Sequence, residues 1–207
     1  MIDKTKVAEG AVAISREMTA NRDYLIKLDQ VNGDGDLGIS MDDGFRSLAR
    51  FLEESQESDL GQLLRKASRV MNDSAPSSLG TIISFCLMGM AKTLKGKDEV
   101  SFSEFADAFR NGVDNLMEKA GSTRGEKTIV DSLCPGVEAL QTYSDEPLKA
   151  IQMACSASHK GAESTKEMKA VHGRAAFTAS RSLGVLDGGS VVGSLIFKAL
   201  YDQFGKE

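Results

Sequence analysis

Apolar residues recur at three- and four-residue steps through almost the whole of this chain, and that spacing restricts it to helices. Val7, Ala11, Ile14 and Met18 predict a first helix over residues 4–19. Met41, Phe45, Leu48 and Leu52 continue the period, with Ser40 and Asp43 resembling a capping box at its start. Leu60, Leu63, Leu64, Ala67 and Val70 predict a third helix, and Ile82, Ile83, Cys86, Met90 and Leu94 a fourth, central one with few polar residues. Ser101 and Glu104 form a capping box ahead of Phe102, Phe105, Phe109, Val113, Leu116 and Met117, and Gly121 ends that fifth helix. Ile129, Leu133, Val137 and Leu140 mark a sixth; Pro147 opens a seventh containing Leu148, Ile151 and Cys155. Another helical stretch is expected over 166–181, and Val191, Leu195, Ile196 and Leu200 close the chain as a helix after a glycine-rich turn at 187–189.

Sustained two-residue alternation and Asn-Gly hairpin signals are missing, so the fold class is all-α. The connections at 53–58, 95–101 and 121–127 are short, which makes successive helices antiparallel neighbours around one core. With 207 residues and no linker, the expectation is a single domain over 1–207. No internal repeat supports a solenoid.

Composition matters chiefly for what it excludes. The 25 Lys and Arg against 30 Asp and Glu give a net charge of -5, without a basic block to track a nucleic-acid backbone, so nucleic acid is not an expected partner. The longest apolar run, Leu79 to Ala91, falls short of the ~20 residues of a bilayer crossing and reads as a buried helix. The N-terminal MIDKTKVAEG lacks a signal-peptide pattern, so a cytoplasmic location is expected. Cys86, Cys134 and Cys155 form no metal-type pair and read as reduced core residues.

Function in a helical scaffold belongs to its unusual loops, and four glycine-rich segments stand out: 29–41, 72–81, 121–131 and 184–190. The first gathers Asp29, Asp34 and Asp36 among glycines that let the backbone bend around a centre. Like charges so close call for a counter-cation, and carboxylate oxygens are hard ligands, suited to magnesium or calcium rather than zinc. Magnesium held by a few carboxylates leaves positions open for phosphate oxygens. Two other readings stand beside this one. Asn32, Asp34 and Asp36 fit the first ligand positions of a calcium EF-hand loop, although position six is then Leu37 and position twelve Asp43. Alternatively Asp and Gly simply make turns, with Asp34 or Asp36 capping the next helix. The second segment places Ser74, Ser77, Ser78, Gly80 and Thr81 before the apolar fourth helix, where free N–H groups attract anionic oxygen or a serine serves as N-cap.

Taken in order, GDGDLG at 33–38, SAPSSLGT at 74–81, GEKTIVDSL at 125–133, STKEM at 164–168, GRAA at 173–176 and RSLGVLDGGS at 181–190 resemble the nucleotide-binding L subunit family of dihydroxyacetone kinases. The resemblance covers nearly the whole length. It implies an antiparallel eight-helix barrel with a nucleotide and two magnesium ions bound by the loops at one end. Asp29, Asp34 and Asp36 would be the magnesium ligands. Ser77, Ser78, Gly80 and Thr81 would lie against the phosphates, while Gly38, Gly121, Lys127, Thr128, Arg174, Asp187 and Gly189 would enclose the rest of an ADP or ATP molecule. Lys127 as a solvated charge and Arg174 as a surface ion pair are the plainer alternatives. Three departures accompany the match: Leu37 follows the DGD triplet where the family usually has His, Asp187-Gly-Gly-Ser190 replaces DPGA, and the serine loop is one residue longer.

The implied activity is phosphoryl transfer, in which this chain is half an enzyme and catalytic activation of the acceptor falls to another subunit. A separate K subunit would hold dihydroxyacetone, or a similar short keto-sugar, covalently through a histidine. The phosphoryl source would be exchangeable ATP, or a resident ADP rephosphorylated by a phosphotransferase-system M subunit. The competing reading of the same resemblance is a catalytically silent relative that binds nucleotide or a partner and regulates; the complete Asp trio argues against it.

Overall fold

Helix-forming periodicity and side-chain caps together define nine α-helices in the computed structural model, among the described residues 1–173, 176 and 182–205. They are α1 (Lys4–Ala20), α2 (Arg22–Asp29), α3 (Leu37–Glu54), α4 (Leu60–Ser74), α5 (Ser78–Thr93), α6 (Phe102–Ala120), α7 (Val130–Thr142), α8 (Pro147–Ser164) and α9 (Gly188–Phe204). Starts are fixed chemically. Asp3 accepts from the Lys6 N–H, Asp59 from Gln62, Ser77 from Gly80 and Asp187 from Ser190, while Ser101 and Glu104 complete a reciprocal capping box. Gly121 closes α6 in the left-handed conformation, φ 62°.

Eight of these helices form a closed antiparallel ring in the order α1, α3, α4, α5, α6, α7, α8, α9 and back to α1. The expected eight-helix arrangement is therefore present, with α2 added at one end. Met18, Met41, Leu63, Leu64, Val113, Leu116, Val137 and Phe197 are among the side chains that fill the interior, and Phe109 stacks on Phe197 at 5.6 Å between ring centres. Pro135 sits inside α7 and supplies no N–H to Asp131 O. The α8 backbone comes up to that carbonyl at Gly161, where a Cβ would stand 2.0 Å from Asp131 O.

Antiparallel order sorts the connections. The segments 30–36, 75–77 and 121–129 and the described stretches 165–173 and 182–187 all fall at one end, together with the N-termini of α3, α5, α7 and α9. At the other end a two-residue strand β1 (Ile2–Asp3) pairs antiparallel with β2 (Glu99–Val100), the small exception to an all-α fold. No helix among the described residues is long and apolar enough to cross a membrane.

The structure corrects several sequence expectations. Helix α2 was unanticipated, because eight residues burying only Leu25 carry little periodicity. Helix α3 begins at Leu37, so Ser40 and Asp43 lie inside its first two turns and form no capping box. Residues Thr165–Glu167 make a 3-10 turn and Met168 is extended, so a helix does not run from 166; the remainder of that stretch lies largely outside the described residues. All three cysteines are free; Cys86 and Cys134 are buried, and burial pushes their thiols up to about 12 and about 11, while Cys155 is half-buried.

Candidate functional site

Asp29 ends α2, and the following loop winds back around it. Its carbonyl accepts the N–H groups of Asn32 at 3.1 Å and Gly33 at 2.6 Å, and its carboxylate Oδ2 accepts the Gly35 N–H at 2.7 Å. That winding gathers Asp29, Asp34 and Asp36 so that one carboxylate oxygen from each lies within 4.8 Å of the other two, with Asp34 and Asp36 exposed and Asp29 half-buried. An all-oxygen set open to water suits a hard divalent cation. Asp36 occupies the N-cap position of α3 but makes no side-chain cap bond, which removes the capping explanation for it. A twelve-residue EF-hand loop over 32–43 is also removed, since the chain is helical from Leu37.

Gly38 is where α2 and α3 meet. A Cβ there would stand 2.1 Å from Arg22 O and 2.8 Å from Ile26 Cγ1, so the missing side chain lets α2 lie on α3 and hold Asp29 over the loop. Across the rim, Ser77 caps α5 by accepting the Gly80 N–H at 3.1 Å, and its hydroxyl lies 2.6 Å from the buried Ser40 hydroxyl of α3. Ser78 is exposed in the first turn of α5. Thr81 donates its hydroxyl to Asn72 Oδ1 of α4 at 3.1 Å.

The 121–129 loop is shaped by Asp131, which sequence reasoning did not single out. Its carboxylate accepts Gly125 N–H at 2.6 Å and Thr128 N–H at 2.8 Å, and Thr128 shares a hydroxyl contact with Ser122 at 3.0 Å. The Thr128-x-x-Asp131 spacing is a helix-start signature that was available to find it. Lys127 is buried rather than solvated, which corrects the plainer expectation for it. Its ammonium donates to Thr165 O at 2.5 Å and Val185 O at 2.6 Å, and burial lowers its pKa against the pull of Asp187 and Asp131. The Glu126 carboxylate meets His172 Nε2 at 2.7 Å and is held below its ordinary range by the Thr123 N–H and His172.

Asp187 caps α9 by accepting the Ser190 N–H at 2.6 Å. The residue is part-exposed, but its carboxyl is enclosed, and that desolvation drives it up to about 7 despite the Ser190 and Gly189 N–H groups and Lys127. Gly189 sits beside Ile129 at the start of α7, and Gly188 against Leu37 at the start of α3. Arg174 lies outside the described residues. Every other residue named from the sequence is thus at one end of the ring. Contacts join Asp187, Lys127, Thr128 and Gly189 into one cluster and Ser77 to α3, while Gly121 stands as the exposed α6 cap, Ser78 is exposed and Thr81 bonds to α4. Four helix N-termini directed at one rim beside three carboxylates create adjoining places for anionic oxygen and for a cation.

The sequence pattern of the DAK2 domain matches residues 31–202. The chain is 31% identical over 189 residues to "PEP-dependent dihydroxyacetone kinase 2, ADP-binding subunit DhaL" of Listeria innocua serovar 6a, covering 89% of this chain and 88% of that one. It is 26% identical over 192 residues to "PEP-dependent dihydroxyacetone kinase, ADP-binding subunit DhaL" of Escherichia coli strain K12, covering 91% of each. Its fold is similar to the crystal structure of the dihydroxyacetone kinase from C. freundii in complex with AMP-PNP and Mg2+, with a TM-score of 0.75, 23% identity, and coverage of 95% of this chain but 33% of that one.

Proposed function

The chain belongs to the DAK2 domain family, and from that premise we propose that it is the nucleotide-binding, phosphoryl-transferring subunit of a dihydroxyacetone kinase. The observation that carries the proposal is the gathering of Asp29, Asp34 and Asp36 at the end of the ring where α3, α5, α7 and α9 begin. Carboxylates alone would repel a polyphosphate, and helix N-termini alone would not hold a metal; side by side they suit a metal-nucleotide complex.

In this reading the three aspartates hold magnesium, two ions in all, as the donor set of hard, water-accessible oxygens suits. When bound, magnesium offsets the charge on the terminal phosphate oxygens. The chain's own groups do the rest. The N-termini of α5 and α9 present N–H groups to phosphate, with Ser77, Ser78, Gly80 and Thr81 at the first and Asp187 and Gly189 at the second. Gly38, Gly121, Lys127, Thr128 and Arg174 complete the nucleotide's surroundings, Gly38 by holding backbone in place. Phosphoryl transfer of this kind requires no covalent nucleophile from the chain, which contributes binding, orientation and charge compensation.

The acceptor is dihydroxyacetone or a similar short keto-sugar, held by a separate K subunit that activates its hydroxyl. The two relatives described above are named PEP-dependent and ADP-binding, which supports a resident ADP recharged through a phosphotransferase-system M subunit over exchange with free ATP. A cytoplasmic setting accords with this chemistry. Native mass spectrometry of the purified chain, followed by a phosphoryl-transfer assay with a dihydroxyacetone-binding K subunit and, as phosphoryl donor, either a phosphorylated M subunit or ATP, tests the proposal. Retained ADP with magnesium and turnover in the reconstituted pair are expected; no nucleotide and no turnover would refute it.

A further inference from the structure

Lys127 is a buried lysine at a place where the backbone resists it. It is 5% exposed and has φ 62°, the single positive-φ residue other than glycine among the described residues. A side-chain-bearing residue persists in that left-handed region only where its surroundings over-determine it. Here the surroundings are two backbone carbonyls, Thr165 O at 2.5 Å and Val185 O at 2.6 Å, which lie 38 and 58 residues further along the chain. Two of the three ammonium N–H groups are thereby committed to protein oxygen.

We propose that Lys127 is a positioning residue that sets the start of α9 against the acidic loop, acting through Thr165, Val185 and Asp187 and not by touching the nucleotide. The inference rests on the nucleotide reading given above and changes the part Lys127 plays in it. The path is continuous. Thr165 takes the Lys127 ammonium on its carbonyl and the Asp187 N–H, at 3.0 Å, on its hydroxyl. Val185 stands two residues before Asp187, which caps α9 through the Ser190 N–H. Gly188 then packs so tightly on α3 that a Cβ there would stand 2.5 Å from Leu37 Cδ2, and Leu37 directly follows Asp36. Neighbouring contacts reinforce the same junction: the Val171 N–H reaches Glu126 O at 3.4 Å, and the Gly184 N–H reaches Lys166 O at 2.8 Å. Without the ammonium, the Val185 carbonyl loses this donor and Thr165 O keeps only the Met168 N–H at 3.2 Å, so the hold of Thr165 and Val185 on the 121–129 loop falls to the weaker Val171–Glu126 and His172–Glu126 contacts.

Two substitutions separate the ammonium from the backbone. Lys127→Met keeps the aliphatic stem, and Lys127→Gly relieves the left-handed residue, so a defect common to both belongs to the charge. The first measurement is trypsin cleavage after Lys166 and Lys169 in the whole chain without nucleotide, followed by mass spectrometry. The second is phosphoryl transfer with the K subunit and a phosphorylated M subunit as donor, after bound nucleotide is stripped and titrated back, resolved into KM for magnesium-ADP and kcat. Cleavage about tenfold faster and KM about tenfold higher are expected in both variants, with kcat within about threefold of the parent, because two charge-assisted bonds hold the junction but do not touch the reacting atoms. Lys127→Arg, which keeps charge and donors, restores part of both. Parental cleavage rates, an unchanged KM, or a general loss of helicity in both variants would each overturn the proposal, the last because it would make Lys127 a support of the whole ring. If the parent chain binds no nucleotide yet the variants are cut faster, the tie stands and the nucleotide reading falls. If the parent binds nucleotide and the variants match it in both measurements, the tie alone is refuted.

Discussion

The hydroxyls of Ser40 and Ser77 lie 2.6 Å apart, joining the helix that follows the acidic loop to the helix that follows the serine loop. Neither helix could hold this geometry alone. Ser77 also accepts the Gly80 N–H, so one side chain caps α5 and fixes it to α3.

Removing that hydroxyl should therefore cost more than a surface serine would. Ser77→Ala is expected to destabilise the chain by about 1–2 kcal/mol, through lost capping and an orphaned Ser40. Ser40→Ala should cost about 1 kcal/mol, and the double variant less than the sum, because both remove the same bond. Urea unfolding of the three variants measures the coupling; strict additivity would contradict it.

Asp34→Asn should leave the helices intact while lowering phosphoryl transfer at least about 100-fold, since it takes one carboxylate from a three-carboxylate set. Magnesium with ADP should raise the melting temperature of the parent chain and not of the variant. Circular dichroism and a thermal scan with and without ligand provide the check. Unimpaired turnover in Asp34→Asn would remove this loop from the mechanism.

Gly38→Ala should act through packing. A Cβ 2.1 Å from Arg22 O can be accommodated only if α2 shifts on α3, at a cost of about 1–3 kcal/mol. Because α2 ends at Asp29, magnesium affinity should weaken with it. Chemical denaturation and a magnesium titration read the two effects, and full stability with normal affinity would show that the helices adapt freely.

Asp187 predicts a particular dependence on pH. Its carboxyl ordinarily titrates near 3.8 and in the fold is raised to about 7, chiefly by burial. Between those values the native state keeps a proton that the unfolded chain releases, so this group's contribution to stability declines as pH rises from about 4 to about 7 and is level above. Asp187→Asn still caps a helix and should flatten that decline. Urea midpoints measured from about pH 4 to about pH 8 compare the slopes; identical slopes would place the carboxyl in contact with water.

The helices were largely legible because their evidence is local. Phe105, Phe109, Val113 and Leu116 repeat within one element, and Ser101 with Glu104 announces its start within four residues. The acidic trio was legible for the same reason, all three residues falling within eight positions. Helix α2 leaves no periodic trace because its eight residues bury one side chain, and the spacing of Ser40 to Asp43 mimics a cap inside a helix that starts at Leu37. Asp131 could have been found from Thr128-x-x-Asp131, whereas nothing near Lys127 hints that its partners are Thr165 and Val185.

By itself, then, the sequence determined a helical chain with a carboxylate cluster just before α3 and glycine-rich turns between long helices. Tertiary structure alone decided that four of those turns share a rim, that Ser40 meets Ser77, and that Lys127 is enclosed. Periodicity and capping are written in contacts three or four residues apart, but a bond spanning 37 or 58 residues depends on how far each helix slides and turns against its neighbour. That setting is made by the packing of the whole interior, to which every helix of the ring contributes.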